Sequence, residues 1–494
     1  MSQYILSIDA GTTGVTVVLY DRQAQVVRHV YGEFTQHYPQ PGWVEHDADE
    51  IWQVTLRLIR SACEDISHDQ IAGIGITNQR ETAVLWDRKT GEPAAKAIVW
   101  QCRRSQEQCE RLRNAGHTDL LDRKTGLVPD AYFSGTKIQW LIENNETVAS
   151  RALAGELTFG TIDSWLAWKL SSGALHITDF TNASRTLLFN IEEKKWDDKL
   201  LELMSVPESL LPEVRKSSEV YGETDPEILG GPIPICGIAG DQQAALFGQG
   251  GGTANAAKNT YGTGCFFLVN TGEQRVHSKN GLLTTLATDT GGNPVYALEG
   301  SVFIAGAVVQ WLRDELQILN NAPESEDLAA SVPDTGGVYL VPAFAGLGAP
   351  YWDMAARGGM VGITRGTNKA HITRAALESI AYQTRDLIEA AQQDLGIQLE
   401  ELRVDGGATA NDFLMQFQAD ILGIPVDRPA NIETTALGAG FLAGLGCGFW
   451  SGWDEIADNR KTERRFEPAM ADDLREELFT GWKDAVRRMA SEGR

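Results

Sequence analysis

The sequence predicts an α/β protein built from two similar halves that face one nucleotide, and three observations carry that reading. Strand-like runs come first as hairpins and then alternate with helical periodicity, the pattern of a mixed sheet with helices packed on it. A Thr/Gly turn between β-rich runs, Gly11-Thr-Thr-Gly14, is echoed in the second half by Gly262-Thr-Gly264 within Asn259 to Gly272. The chain has 494 residues, more than one core organises, so size alone points to two to four domains.

The first turn is built for an anion. Ile5 to Ile8 and Val15 to Tyr20 form the arms of a hairpin, glycines let the main chain approach a phosphate, and Thr12 and Thr13 add hydroxyl donors. Asp9 supplies a hard oxygen for Mg²⁺. No lysine follows the turn as in a P-loop, so a nucleotide here depends on amides, hydroxyls and metal.

Composition narrows the partners. With 67 acidic and 43 basic residues the net charge is −24, which repels nucleic-acid backbones and anionic lipid alike. The six cysteines contain no Cys-x-x-Cys pair and no histidine at metal-ligand spacing, as expected of reduced thiols in a cytoplasmic protein. The most apolar long run, Ala436 to Trp450, is interrupted by five glycines and is shorter than the roughly 20 residues a membrane helix needs. It reads as a buried, glycine-faced helix capped by Thr434 or Thr435.

In chain order, a strand from Val26 to Val30 follows the hairpin, and Asp47 caps a helix that buries Ile51, Val54, Leu58 and Ile59. Ile71 to Thr77 is a short buried strand that runs into Asn78-Gln-Arg-Glu81. The solvent turn comes later, at Asp87-Arg-Lys-Thr-Gly91, so this polar quartet lies where no turn is needed. Arg80 and Glu81 are then either a surface ion pair or a donor and an acceptor set side by side for the hydroxyls of a polyol. Trp100 and Tyr132 are core, or walls of a pocket if one lies between them. Ser134 or Thr136 lies near the cap of the helix that buries Ile138, Leu141 and Ile142. Thr158 to Arg185 reads as strand, helix and a polar loop from Thr178, and the prolines between Pro207 and Pro234 mark the approach to a domain junction.

At the junction a strand ends in Gly240, and Asp241 stands where a helix begins, with Gln242 and Gln243 beside it. Asp241 is an N-cap or a carboxylate that accepts a proton from an attacking hydroxyl. The second half continues with the echoed hairpin, a strand from Val295, a helix from about Val302 to Leu316, a helix from His371 to Gly396, and Asp405-Gly-Gly-Ala-Thr-Ala-Asn411 between a strand and a helix. Glycines at such a junction suit an anion or a flat base at the helix N-terminus. A last amphipathic helix, Asp472 to Met489, is a solvated lid or a packing helix.

The chain resembles the FGGY carbohydrate kinases over its whole length. Phe133-Ser-Gly-Thr-Lys-Ile-Gln-Trp140 through Asn144, and Gly358 to Ile363 with His371 to Glu378, carry the family signatures. Gly75-Ile-Thr-Asn-Gln-Arg-Glu81, Ile98 to Arg104, Gly237 to Gly248 and Asn259 to Gly264 are similar to the branch that acts on glycerol. The resemblance implies two ribonuclease-H-like domains of the actin/hexokinase ATPase type, divided at 1–250 and 251–494, with the active site in the cleft between them. It implies ATP-dependent phosphorylation of a terminal hydroxyl of glycerol. Carried over by position, Arg80, Glu81, Tyr132, Asp241 and Gln242 hold glycerol, Trp100 and Phe266 lie against its carbons, and Asp241 is the base. Thr12, Thr13, Gly14 and Thr263 contact phosphates, Gly306, Gln310, Gly407 and Asn411 surround the nucleoside, and Asp9 is near Mg²⁺. It also implies a homodimer or homotetramer, with neither nucleic acid nor membrane insertion. Thr16 replaces an arginine common on the nucleotide side. The loop Leu229 to Pro234 has no arginine for fructose 1,6-bisphosphate, so weak or absent inhibition is expected. Two alternatives remain. A kinase of another polyol or ketose would not share Asn78 to Glu81, and an actin-like nucleotide switch would not need Arg80, Glu81 and Asp241 together.

Overall fold

In the computed structural model, which describes residues 3–457 and 459–491, two sheets are built on one plan. The first comprises β1 (Tyr4–Ala10), β2 (Gly14–Tyr20), β3 (Val26–Glu33), β4 (Ile71–Asn78), β5 (Ser218–Glu223) and β6 (Pro234–Gly240), in the order β5-β6-β4-β1-β2-β3. β1, β2 and β3 pair antiparallel in succession, and β4 and β6 add to β1 in parallel. Helices α1 (Ala48–Ala62), α2 (Ser134–Asn144) and α3 (Asp241–Gly248) belong to this half. Asp47 caps α1 by accepting from Asp49 N at 3.0 Å and Glu50 N at 3.2 Å, a contact worth ~1 kcal/mol.

The second sheet comprises β7 (Ala257–Tyr261), β8 (Cys265–Gly272), β9 (Leu283–Thr288), β10 (Pro294–Val302), β11 (Leu402–Asp405), β12 (Val426–Pro429) and β13 (Thr462–Phe466). Its order is β9-β10-β8-β7-β11-β12-β13, with β7, β8 and β10 antiparallel in succession and β11 and β12 parallel to β7 and to each other. With β5, β9 and β13 set aside, β10-β8-β7-β11-β12 repeats β3-β2-β1-β4-β6, so the ribonuclease-H-like order occurs twice in one chain. Around this sheet lie α4 (Gly306–Asp314), α5 (Lys369–Leu395), α6 (Asp412–Leu422), α7 (Thr434–Gly446) and α8 (Asp472–Met489).

The glycine-faced helix α7 packs against the first sheet. A Cβ on Gly438 would lie 1.8 Å from the Ala244 carbonyl oxygen, one on Gly75 would lie 2.2 Å from that of Ala439, and Gly440 faces Ser7 and Tyr20. Gly75 lets the backbones of β4 and α7 touch, Gly438 does the same for α7 and α3, and Gly440 leaves room for the side chains of β1 and β2. No helix among the described residues is long and apolar enough to cross a membrane.

Several local expectations are corrected. α4 starts at Gly306 because Val302 still pairs with Cys265 in the sheet. Neither Thr434 nor Thr435 caps α7, since Glu433 holds the cap position and the Thr434 hydroxyl donates to Asp405 Oδ2. Ser134 does lie next to the cap of α2, which is Phe133, but its hydroxyl goes to the Glu81 carbonyl, while Thr136 bonds Ser105. The polar stretch from Thr178 folds as a short strand, Ile177–Asp179, and one helical turn, Phe180–Ala183, capped by Asp179. Ile142 is only half-buried. α8 is a packing helix: Phe479, Trp482, Ala485 and Val486 are buried, and Trp482 stacks on Tyr382 with ring centroids 5.4 Å apart.

Candidate active site

The cleft is lined from both sheets. β4 ends at Asn78, and the chain then turns through Arg80 and Glu81, which are 2 % and 1 % exposed; the surface-pair reading of these residues fails. Glu81 has φ +60°, a left-handed conformation that a non-glycine residue adopts only when its surroundings enforce it. The enforcement is visible. Ser134 Oγ and Lys137 Nζ both donate to the Glu81 carbonyl, at 3.0 and 3.1 Å, and Lys137 Nζ also donates to the Tyr132 carbonyl. Burial lowers the Lys137 ammonium to about 7.

An interlocked ionic cluster forms around these residues. Arg80 Nη1 and Nη2 donate to the two Glu299 oxygens at 2.6 and 2.9 Å, and Arg80 Nε lies 3.2 Å from Asp241 Oδ1. Arg185 Nε donates to Glu81 Oε1 at 2.6 Å, and its Nη2 lies 3.0 Å from Glu299 Oε1. Arg80 Nη1 also reaches Gln243 Oε1 at 3.2 Å. Asp241 is the first residue of α3, not its cap, which is Gly240, and no side chain caps this helix end. Its Oδ1 accepts from Gln242 N at 2.7 Å. The side chains of Arg80, Glu81, Arg185 and Glu299 are at most 1 % exposed, whereas that of Asp241 is 27 % exposed to the cleft.

These surroundings separate the carboxyl groups. Enclosure by protein holds Asp241 above its usual range, against the opposing pull of Arg80 and Lys258, and burial also raises Glu81 against Arg185 and Arg80. Burial would raise Glu299 as well, but Arg185 and Arg80 prevail and hold it down to about 2. Asp9 is pushed well up, by burial and then by the charges of Asp241 and Glu433. No group of three or more His, Cys, Asp or Glu side chains among the described residues forms a metal cage.

The remaining sequence-picked residues fall into two sets. Trp100 and Tyr132 meet edge to face at 5.5 Å, Phe266 stands 6.3 Å from Trp100, and Trp100 Nε1 donates to Thr12 Oγ1 at 3.0 Å, so the aromatic wall is tied to the first turn. Gln242 Oε1 accepts from Lys258 Nζ at 2.6 Å. Gln36 and Gln79 hold the turn by donating to the carbonyls of Thr12 and Gly11. Thr12 and Thr13 are at the turn surface, but Gly14 is buried, where a Cβ would lie 2.7 Å from the Gly32 carbonyl oxygen on β3. Thr263, Gly306, Gln310, Gly407 and Asn411 line a single cavity of about 490 Å³, together with Val309, Ile380 and Leu414. Gly306 N donates to the Gly262 carbonyl at 2.9 Å, which docks α4 on the second turn, and Asn411 caps α6.

Residues 4–248 match the N-terminal domain and residues 257–447 the C-terminal domain of the FGGY family of carbohydrate kinases. The chain belongs to this family. It is 59% identical over 489 residues to a glycerol kinase of Carboxydothermus hydrogenoformans, covering 98% of each chain, and 56% identical over 488 residues to glycerol kinase 2 of Thermotoga maritima, again 98% of each. Among solved structures it is similar to Plasmodium falciparum glycerol kinase with ADP, at 38% identity and a TM-score of 0.92, covering 100% of this chain and 99% of that one. A ligand-bound xylulose kinase from Lactobacillus acidophilus, at 23% identity and a TM-score of 0.89 over 99% of both chains, shares the fold. Within this FGGY site, sequence reasoning missed Arg185, Lys258 and Glu299, and set Gln243 beside Asp241 without giving it a role. The available signal was faint, a single acidic residue directly after the apolar run Val295 to Leu298, at Glu299.

Proposed function

We propose that this FGGY kinase transfers the γ-phosphoryl group of ATP to a terminal hydroxyl of glycerol, giving sn-glycerol 3-phosphate and ADP. The observation that carries this is the 27 % exposure of the Asp241 side chain within an ionic cluster otherwise sealed from solvent. One carboxylate, held above its usual range, faces the open cleft between the acceptor side chains and the glycine-walled cavity.

Each residue then has a part. Asp241 accepts the proton of the attacking hydroxyl as the bond to phosphorus forms, a contribution of ~10²–10⁴-fold. Glu81 accepts from glycerol hydroxyls and Arg80 donates to them. Lys258 occupies the Gln242 carbonyl oxygen, so that side chain offers its N–H donors. Trp100, Tyr132 and Phe266 cover the carbon chain. Thr12, Thr13 and Thr263 donate to phosphates from the two turns, Gly14 keeps the first turn close to β3, and Gly306, Gln310, Gly407 and Asn411 hold the nucleoside. Asp9, whose carboxyl feels the charges of Asp241 and Glu433, would be the residue to hold a divalent cation, and Mg²⁺ there would offset phosphate charge. The division of labour follows 1–250 for acceptor and phosphates and 251–494 for the nucleotide. The family resemblance supports a homodimer or homotetramer in the cytoplasm.

The test is product identity. Phosphorus NMR after incubation with ATP, Mg²⁺ and either glycerol or a ketose such as xylulose should show sn-glycerol 3-phosphate and no comparable ketose phosphate. The reverse preference would return the chain to the ketose-kinase alternative.

A further inference from the structure

The fold allots most of the five N–H donors of Arg80 before any substrate arrives. Nη1 serves Glu299 and Gln243, Nη2 serves Glu299, and Nε lies against Asp241, which leaves one N–H on Nη2 among the described residues. Glu299 comes from the other half of the chain. It sits in the middle of β10, opposite Leu268 and Leu283, and is fully buried. Nothing in that apolar strand needs a charge, and burying one is costly unless it is paired. Its partners are Arg80, bidentately, the Ser301 hydroxyl at 3.4 Å, and Arg185, which lies at ion-pair distance and gives its Nε to Glu81. A fork gripped at both tips cannot rotate, so the Glu299 carboxylate sets the orientation of the Arg80 guanidinium beside the acceptor pocket, and its charge balances that of Arg185.

We infer that Glu299 is an acceptor-positioning residue: from the second domain it fixes the Arg80 fork so that the last Arg80 N–H points at a non-reacting hydroxyl of the acceptor, beside the Glu81 carboxylate that Arg185 holds. This rests on the kinase reading above. It follows that the acceptor pocket is complete only while β10 is docked against the first domain.

The test is a double-mutant cycle on the full chain, with KM for glycerol, KM for ATP and kcat measured for Glu299→Gln, Arg80→Lys and the pair, and ADP binding followed by calorimetry. Glu299→Gln should raise the glycerol KM by about 30-fold or more, with ADP affinity changed by less than about threefold. In the Arg80→Lys background, where no fork remains to be aimed, the same substitution should change the glycerol KM by less than about threefold. Glu299→Asp keeps the charge and should recover part of the loss; it serves as the probe if the Gln variant does not fold. Equal effects in both backgrounds, or lost ADP binding with an unchanged glycerol KM, would overturn the inference while leaving the kinase reading intact. Absence of glycerol turnover in the unaltered chain would overturn both.

Discussion

At the proposed acceptor end of the cleft, Arg80, Glu81, Arg185, Asp241 and Glu299 interlock within 4 Å of one another's partners, and all but Asp241 are sealed from solvent. At the proposed nucleotide end, a cavity of about 490 Å³ is walled by glycine turns, hydroxyls and apolar helix faces. The first is an ionic lattice in which each charge depends on the others, because removing one partner leaves another buried and unpaired. The second depends on backbone closeness: Gly406 at φ +89° lies where a Cβ would be 2.5 Å from the Tyr261 carbonyl oxygen. Recognition of a small polyol requires fixed donors and acceptors, whereas a large ligand with phosphates and a flat base can be held by amides and shape.

Substitutions at the two ends should therefore fail differently. The largest effect is expected from Asp241→Asn, which should lower kcat by ~10²–10⁴-fold in steady-state assays while ADP binding is kept. Arg80→Ala removes the bidentate partner of Glu299 and leaves it Arg185 alone, and should cost about 3–5 kcal/mol of stability in urea unfolding, along with glycerol binding. Gly406→Ala forces an alanine into a glycine conformation and should cost ~1–3 kcal/mol, seen as weaker ADP binding by calorimetry with glycerol binding retained. If Gly406→Ala impaired glycerol binding instead, the separation of the two ends would break down. The mildest probe is pH. Because the reactive form of Asp241 is the carboxylate and enclosure raises its pKa, the rate with glycerol should fall as pH drops through a value above the ordinary 3.8. An acid limb below 3.8 would mean that Arg80 and Lys258 dominate instead.

The same contrast explains what could be read from the chain. Both hairpins, the glycine-faced α7 and the Arg80-Glu81 step were legible because each leaves a local mark: a Thr/Gly turn, glycines at helical spacing, a polar quartet where no turn is needed. Glu299 leaves almost none. It lies in Tyr296-Ala-Leu-Glu-Gly-Ser301, which scans as an ordinary strand, and its partner Arg80 is 219 residues away. Arg185 likewise meets Glu81 across 104 residues. Helix starts were misplaced where tertiary pairing overrode the local preference, as at Val302, kept in the sheet by Cys265, and at Thr434, whose hydroxyl goes to Asp405.

The most direct measurement is ADP release by the unaltered protein with ATP and Mg²⁺, in the presence and absence of glycerol. The account predicts release that depends on glycerol, faster by roughly 10²-fold or more once the hydroxyl meets Asp241. Release at the same rate without glycerol would contradict it and would favour a nucleotide switch in place of a kinase.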